Sequence, residues 1–344
     1  MAEIDRYPLI SVVVPIRNEE RFIATTLEYL LGQDYPDKML EILVVDGESD
    51  DRTVEIVLDM AERDDRIRLL TNPKHLSSAA RNVGAREARG DIITFVDGHT
   101  YIDNNQLLKN LVALMRDHNL QVLSRPQFLE TPDNSWFQWA VAIARRSVIG
   151  HGLDSTIYTS EDKEVDPTSS GATYHQEVFD RVGYFDERFD ACEDVDFNFR
   201  VAQSGFKSFT SLKAAVYYYP RNSLGGLFRQ LMRYGIGRFR LARKHPGTLS
   251  LGTLIPFLLT VGIPALALAS LFYMPLWYVL AVGVGVYVVL IVFGSIVLSL
   301  RHGLIYLPVL PFIFPAIHFG LGWGFLVELC RTLVGKGISF KSAQ

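Results

Sequence analysis

The sequence predicts an α/β protein with a mostly parallel, Rossmann-like sheet, followed by an interface helix and an α-helical membrane region. Three observations carry this. Over the first hundred residues, short apolar runs alternate with amphipathic stretches, the pattern of strands covered by helices on both faces. Three of those runs end in an informative residue: Pro15, Asp46 or Asp97. Three long apolar segments then crowd the region after residue 249.

Taken in order, residues 9–15 (LISVVVP) read as a buried strand, and 20–32 as a helix with Phe22, Ile23, Leu27, Leu30 and Leu31 at helical spacing. Residues 40–46 (LEILVVD) form a second strand and 51–63 a second helix. Residues 67–70 form a third strand, 77–89 a small-residue helix, and 92–97 (IITFVD) a fourth strand. In such sheets ligands bind beyond the carboxyl ends of the strands. Residues 121–215 are less regular and hold one acidic cluster. The basic, aromatic stretch 224–244 suits a helix lying at a membrane interface.

Residues 251–274 and 276–300 carry no charge, and 304–329 carries only Glu328. Each is long enough to span a bilayer. The expected division is therefore 1–220 as the α/β domain, 221–248 as the interfacial helix region and 249–335 as the membrane region. Arg238, Arg240, Arg243 and Lys244 place the start of the first span in the cytosol, and Arg301 agrees. Arg331, Lys336 and Lys341 do not agree, because three crossings put them outside. Pro308, Pro311 and Pro315 mark the third segment as kinked, split or re-entrant.

The net charge of −4 argues against a general nucleic-acid binder. The only cysteines, Cys192 and Cys330, are far apart, which fits a reducing compartment. Residues 1–10 have no cationic stretch followed by an apolar run, so no signal peptide is read and the soluble part is expected in the cytosol.

The chemistry sits at the strand ends. Around Pro15, Arg17, Asn18 and Glu19, a strand gives way to polar groups that either meet a ligand at a helix start or cap that helix. Asp46, with Gly47 beside it, can accept from a base N–H or a ribose hydroxyl. Ser49, Asp50 and Asp51 read as caps of the next helix. Arg81, near the start of its helix, can hold a diphosphate or a base edge. Asp97 and His99 flank Gly98 and can share one divalent cation; the imidazole suits manganese better than magnesium. Glu193 and Asp194 lie in the acidic cluster, where neighbouring charge raises a carboxyl pKa. Asp194 is the expected base for an attacking hydroxyl, and Asp196 the expected cap of a helix over 197–204. Gln230 and Arg233 share a helix face beside Tyr234 and can meet an acceptor sugar and the diphosphate together.

The segments VVVPIRNEE, VVDGESDDRT, ARNVG, VDGH, SSGATYHQEVFDRVGYFDERFDACEDVDFNFR and QLMRY, in this order and spacing, resemble the family 2 inverting glycosyltransferases. The resemblance covers residues 9–235 and implies a GT-A fold. The members with a C-terminal membrane region, similar to succinoglycan-type exopolysaccharide glucosyltransferases, are nearest in pattern. By that resemblance Asp46 contacts the nucleobase and Arg81 supports the nucleotide. Asp97 lies at a metal–diphosphate site holding Mn2+ or Mg2+, and Asp194 is the general base. Gln230, Arg233 and Tyr234 correspond to the QxxRW motif, with tyrosine in place of tryptophan. The usual second aspartate of the metal motif is His99. The implied partners are a nucleotide-sugar donor, by default UDP-linked, a lipid-linked or glycolipid acceptor, and membrane lipids. A second copy of the chain is left open as a partner. A single-addition enzyme at the cytosolic face of the cell membrane is the expectation. A processive polysaccharide synthase and a silent scaffold of an assembly complex are the alternatives.

Overall fold

The computed structural model describes residues 7–151, 157–158 and 160–340; Lys341 lies outside them. Its contacts divide the chain into two units: Met1–Thr131 with Thr156–Tyr219, and Pro132–Ser155 with Pro220–Gln344.

In chain order the strands and helices of the first half are β1 (Ile10–Ile16), α1 (Ile23–Leu31), β2 (Leu40–Asp46), α2 (Thr53–Ala61), β3 (Ile67–Thr71), α3 (Ser77–Glu87), β4 (Ile92–Phe95), β5 (Thr100–Tyr101), α4 (Leu107–Asp117), β6 (Val122–Ser124) and β7 (Gln127–Phe128). After α5 (Trp136–Arg146) and α6 (Val148–His151), which belong to the second unit, come β8 (Lys163–Val165), β9 (Gly171–His175), α7 (Gln176–Val182), α8 (Glu193–Gln203), β10 (Ser208–Thr210) and β11 (Val216–Tyr218). The main sheet runs β3-β2-β1-β4-β9-β6-β10-β8, and a small sheet runs β5-β11-β7. β3, β2, β1 and β4 are mutually parallel. β9 is antiparallel to β4 and β6.

The strand period divides the core. Val12, Val14, Ile42 and Val44 face Ile23, Leu27 and Leu30 of α1. Their alternates Val13, Leu43, Val45, Ile93 and Phe95 face Val178, Phe179, Phe185 and Phe197. Each strand is thus buried on both sides, which explains its unbroken apolar run. Gly84 brings α3 onto β1: a Cβ there would stand 2.2 Å from Val13 Cγ1.

The expected elements of residues 9–97 all form, with shifted ends. Helix α1 starts at Ile23 because Asn18 is left-handed, φ 57°, and residues 19–22 form a turn closed on Glu19 O. Helix α8 starts at Glu193, four residues before the expected Phe197. Asp196 therefore sits inside the helix, fully buried and 3.1 Å from Arg200, and it does not cap.

The second unit is helical: α5, α6, α9 (Leu224–Lys244), α10 (Leu251–Ser270), α11 (Leu276–His302) and α12 (Leu310–Leu333). The last three are long and apolar enough to cross a membrane. The third segment begins later than expected. Gly303 is left-handed and residues 304–306 make a 3-10 turn, so Pro308 precedes the helix, Pro311 sits in its first turn, where proline is tolerated, and Pro315 lies in its interior. It is one continuous helix, not a split one. Helix α5 starts at a capping box in which Ser135 and Gln138 satisfy each other's backbone N–H. Its buried face of Ala140, Val141, Ile143 and Ala144 packs with Leu227 and Leu231 of α9 and Leu310, Ile313 and Phe314 of α12.

Candidate active site

The parallel register brings the carboxyl ends of β1, β2 and β4 to one edge. Ile16 pairs with Asp46, Val13 with Phe95, and Asp97 follows two residues later. The loops leaving these strands bind one another. Asn18 N donates to Ser49 Oγ at 2.8 Å, Glu19 N to Thr53 Oγ1 at 2.7 Å, and Asp50 N to Asn18 Oδ1 at 3.0 Å. Asp46, 6% exposed, accepts from Ser49 N at 3.1 Å and Ser49 Oγ at 2.5 Å. Asn18 and Ser49 are thus spent on joining loops, and neither α1 nor α2 has a side-chain cap at its N-cap residue. Asp51 is shared, accepting from Glu20 N at 3.2 Å and from Thr53 N, the first residue of α2, at 2.9 Å. Pro15 is half-buried within β1, and Arg17 is exposed with its stem beside Gly47.

The turn after β4 is pressed against β1. A Cβ on Gly98 would stand 2.6 Å from Ile16 Cγ2 and 3.3 Å from Glu19 Cγ, so only glycine admits this approach. The result places His99 Nδ1 2.8 Å from Glu19 Oε1. A carboxylate accepts, so this bond assigns the ring proton to Nδ1.

Arg81 is the centre of charge. Its Nη2 donates to Asp97 Oδ1 at 2.9 Å, and its Nε lies 3.5 Å from Glu193 Oε1. Its Cζ sits 5.3 Å above the Phe95 ring. Burial works against the guanidinium's charge, but Asp97, Glu193 and Asp194 outweigh it and hold Arg81 protonated. Burial acts to raise the Asp97 carboxyl; Arg81, His99 and Arg125 outweigh it and hold Asp97 below the usual range. Glu193 goes the other way. Burial first, then repulsion from Asp194, pushes its carboxyl well above the usual range, against the pull of Arg81. Asp194 is half-buried in the first turn of α8, its Oδ1 accepting from Val195 N at 2.8 Å.

Arg81, Asp97, Glu193 and Asp194 therefore form one electrostatic cluster, and Glu19 with His99 joins it through the Asp97–His99 turn. Gln230, Arg233 and Tyr234 belong to the second unit, on α9. There Gln230 Nε2 donates to Tyr234 Oη at 3.4 Å, and Arg145 lies 5.8 Å over the Tyr234 ring.

Two residues of the cluster escaped sequence reasoning. Arg125, following β6, is fully buried; its guanidinium donates to the Phe95 carbonyl and to Thr94 Oγ1 at 3.4 Å. Tyr218 on β11 lies by the His99 ring, centroids 6.0 Å apart, and helps hold Asp97 ionised. An arginine directly after a buried strand was the one signal available.

Among the described residues no three His, Cys, Asp or Glu side chains already converge as a cage for a metal ion. The donor chemistry nevertheless fits a divalent cation completed by ligand oxygens. Asp97 offers carboxylate oxygens, and a histidine bound to a carboxylate through Nδ1 is oriented to ligate through Nε2.

Residues 11–183, half of the chain, match the family profile described as Glycosyl transferase family 2. The chain belongs to glycosyl transferase family 2. This glycosyltransferase is 31% identical over 250 residues to the succinoglycan biosynthesis protein ExoA of Rhizobium meliloti, covering 71% of this chain and 73% of the relative. It is 27% identical over 251 residues, 72% and 78% of the two chains, to a dolichyl N-acetyl-alpha-D-glucosaminyl phosphate diacetamido-dideoxy-glucuronosyltransferase of Methanococcus voltae. Its fold is similar to that of the mannosyltransferase PcManGT of Pyrobaculum calidifontis, solved with GDP-Man and Mn2+. The TM-score is 0.63 at 21% identity, covering 96% of this chain and 88% of that one. The mostly parallel sheet of the family 2 chain is thus a GT-A-like domain, followed in sequence by apolar helices.

Proposed function

We propose that the chain is an inverting, metal-dependent glycosyltransferase that moves a sugar from a nucleoside-diphosphate donor, UDP-linked by preference, to a lipid-linked acceptor at the cytosolic face of the cell membrane. The observation that carries this is the Arg81 cluster. The Asp97 and Glu193 carboxylates meet at one guanidinium, with Asp194 beside them, at the carboxyl ends of the strands, where ligands bind in sheets of this type.

The residues then take these parts. Asp46 faces the base and ribose, with Pro15, Arg17 and Glu19 on the adjoining loop. Asp97 and His99 would hold a divalent cation, which when bound neutralises charge on the departing diphosphate. The nitrogen ligand favours Mn2+ over Mg2+. Arg81 keeps Asp97 ionised and, with Arg233, adds positive charge for the leaving group. Asp194 accepts the proton of the acceptor hydroxyl as its oxygen forms the new bond to the anomeric carbon and the bond to diphosphate breaks. One displacement inverts the anomeric centre. Gln230 and Tyr234 contact the acceptor. The apolar helices hold the acceptor's lipid nearby and raise its local concentration. The relatives in exopolysaccharide and dolichyl-linked glycan synthesis support such an acceptor.

The test is a screen of nucleoside-diphosphate sugars by nucleotide release, with Mn2+ and a membrane lipid extract. Release with one donor that depends on both cation and lipid is expected. Absence of release with every donor from folded protein would replace the enzyme reading with that of a silent scaffold.

A further inference from the structure

We propose that α12 does not cross the membrane: it pairs with α9 as a two-helix platform on the headgroup region, so that only α10 and α11 cross. This rests on reading the chain as membrane-anchored.

Helices α9 and the second half of α12 lie side by side and advance in the same direction. A Cβ on Gly320 would stand 2.9 Å from Phe228 O, and one on Gly324 1.9 Å from Met232 O. Further along, the Phe239 and Phe325 rings pack edge to face at 4.8 Å. Arg240 Nε donates to Glu328 Oε1 at 2.9 Å, and Arg243 Nη1 to Thr332 Oγ1 at 3.2 Å. At a rise of about 1.5 Å per residue this seam runs for roughly 20 Å. Depth in the bilayer is therefore shared: wherever residues 320–332 go, residues 228–243 go with them.

Helix α9 cannot enter the hydrocarbon. It carries Arg229, Arg233, Arg238, Arg240, Arg243 and Lys244, of which Arg229, Arg233 and Arg243 are exposed. Such a basic, amphipathic helix belongs among anionic headgroups. The seam holds α12 there as well. Helix α12 is also built differently from its neighbours. In its most apolar stretch 44% of residues are buried against protein, compared with 17% for α10 and for α11. It buries an acid, Glu328, against the basic face of α9, and it exposes Trp323, a residue at home in the interface. Helices α10 and α11 expose Leu258, Leu268, Val282, Val286, Val289 and Phe293, as lipid-facing spans do. Two crossings also return Arg331 and Lys336 to the side of Arg238 and Arg243, removing the charge conflict that three crossings create.

The test is the sidedness of single cysteines in sealed membrane vesicles, read with a membrane-impermeant maleimide. The background is Cys330→Ser, with buried Cys192 left in place. The probes are Glu62→Cys in the first unit, Met274→Cys between α10 and α11, and Lys336→Cys after α12, with Val334→Cys as a second probe there. The expected result is that the probes after α12 and Glu62→Cys label only in inside-out vesicles, and Met274→Cys only in right-side-out ones. Labelling of Lys336→Cys and Val334→Cys together with Met274→Cys means three crossings and overturns the proposal. Labelling of every probe from one side overturns the α10–α11 crossing. The assay needs neither donor nor acceptor, so failure of the enzyme reading leaves it intact; recovery of the chain in the soluble fraction would sink the membrane anchoring itself.

Discussion

Arg81 and Asp97 hold each other ionised, Nη2 to Oδ1 at 2.9 Å, between α3 and the turn that follows β4. Breaking a fully buried pair from one side costs about 3–5 kcal/mol, because the abandoned charge has no partner; here the two side chains are 14% and 28% exposed, so water lowers the loss from this pair below that range. Arg81→Ala abandons both Asp97 and Glu193, so a large loss of thermal stability is expected alongside loss of turnover. Arg81→Lys keeps the charge and loses the fork that reaches both carboxylates. It is expected to fold, with turnover down about 10²–10³-fold. Thermal melting beside nucleotide release separates the two effects.

Glu19 fixes the His99 ring from 2.8 Å. Outer partners of this kind are worth about 10–100-fold in metal affinity. Glu19→Gln is expected to weaken Mn2+ binding by such a factor, and His99→Ala by more. Titration followed by electron paramagnetic resonance of free Mn2+ measures both without any turnover.

Glu193 has its carboxyl pKa raised in the folded chain, by burial and by Asp194. The folded state therefore binds this proton more tightly than the unfolded state. Its contribution is complete below the ordinary glutamate value of 4.5 and is lost as pH rises through the elevated folded value. Glu193→Gln cannot ionise and is expected to flatten that decline. Melting temperatures of both proteins from pH 4.5 upward test the sign.

Gly84 has no room for a side chain, with Val13 Cγ1 2.2 Å from a built Cβ. Gly84→Ala is expected to cost about 1–3 kcal/mol through forced displacement of α3. A matched drop in melting temperature, with metal affinity little changed, would confirm a packing role.

Much of this architecture is legible in the sequence, for a physical reason. Strands β1, β2 and β4 are buried on both faces, so their apolar runs are unbroken and their polar ends conspicuous. Asp46 and Asp97 could be picked out on that basis, and the structure places Arg81 and Glu193 with Asp97. The failures share a cause. Asn18, Ser49 and Asp196 look like helix caps by local rules, yet their partners are loops some thirty residues away or, for Asp196, an arginine one turn along. Arg125 and Tyr218 reach the cluster from three-residue strands or their ends, too short to show a period. The membership of residues 132–151 in the helical unit left no mark, because the alanine-rich face of α5 resembles any core helix.

The measurement that bears most directly on the account is Asp194→Asn, assayed for donor binding and for transfer separately. Asparagine keeps the shape and removes the base. Donor affinity within about twofold of the native chain, with transfer lost by about 10²–10⁴, is the expected result. Transfer at the native rate would contradict the assignment of Asp194 and, with it, the proposed chemistry of the cluster.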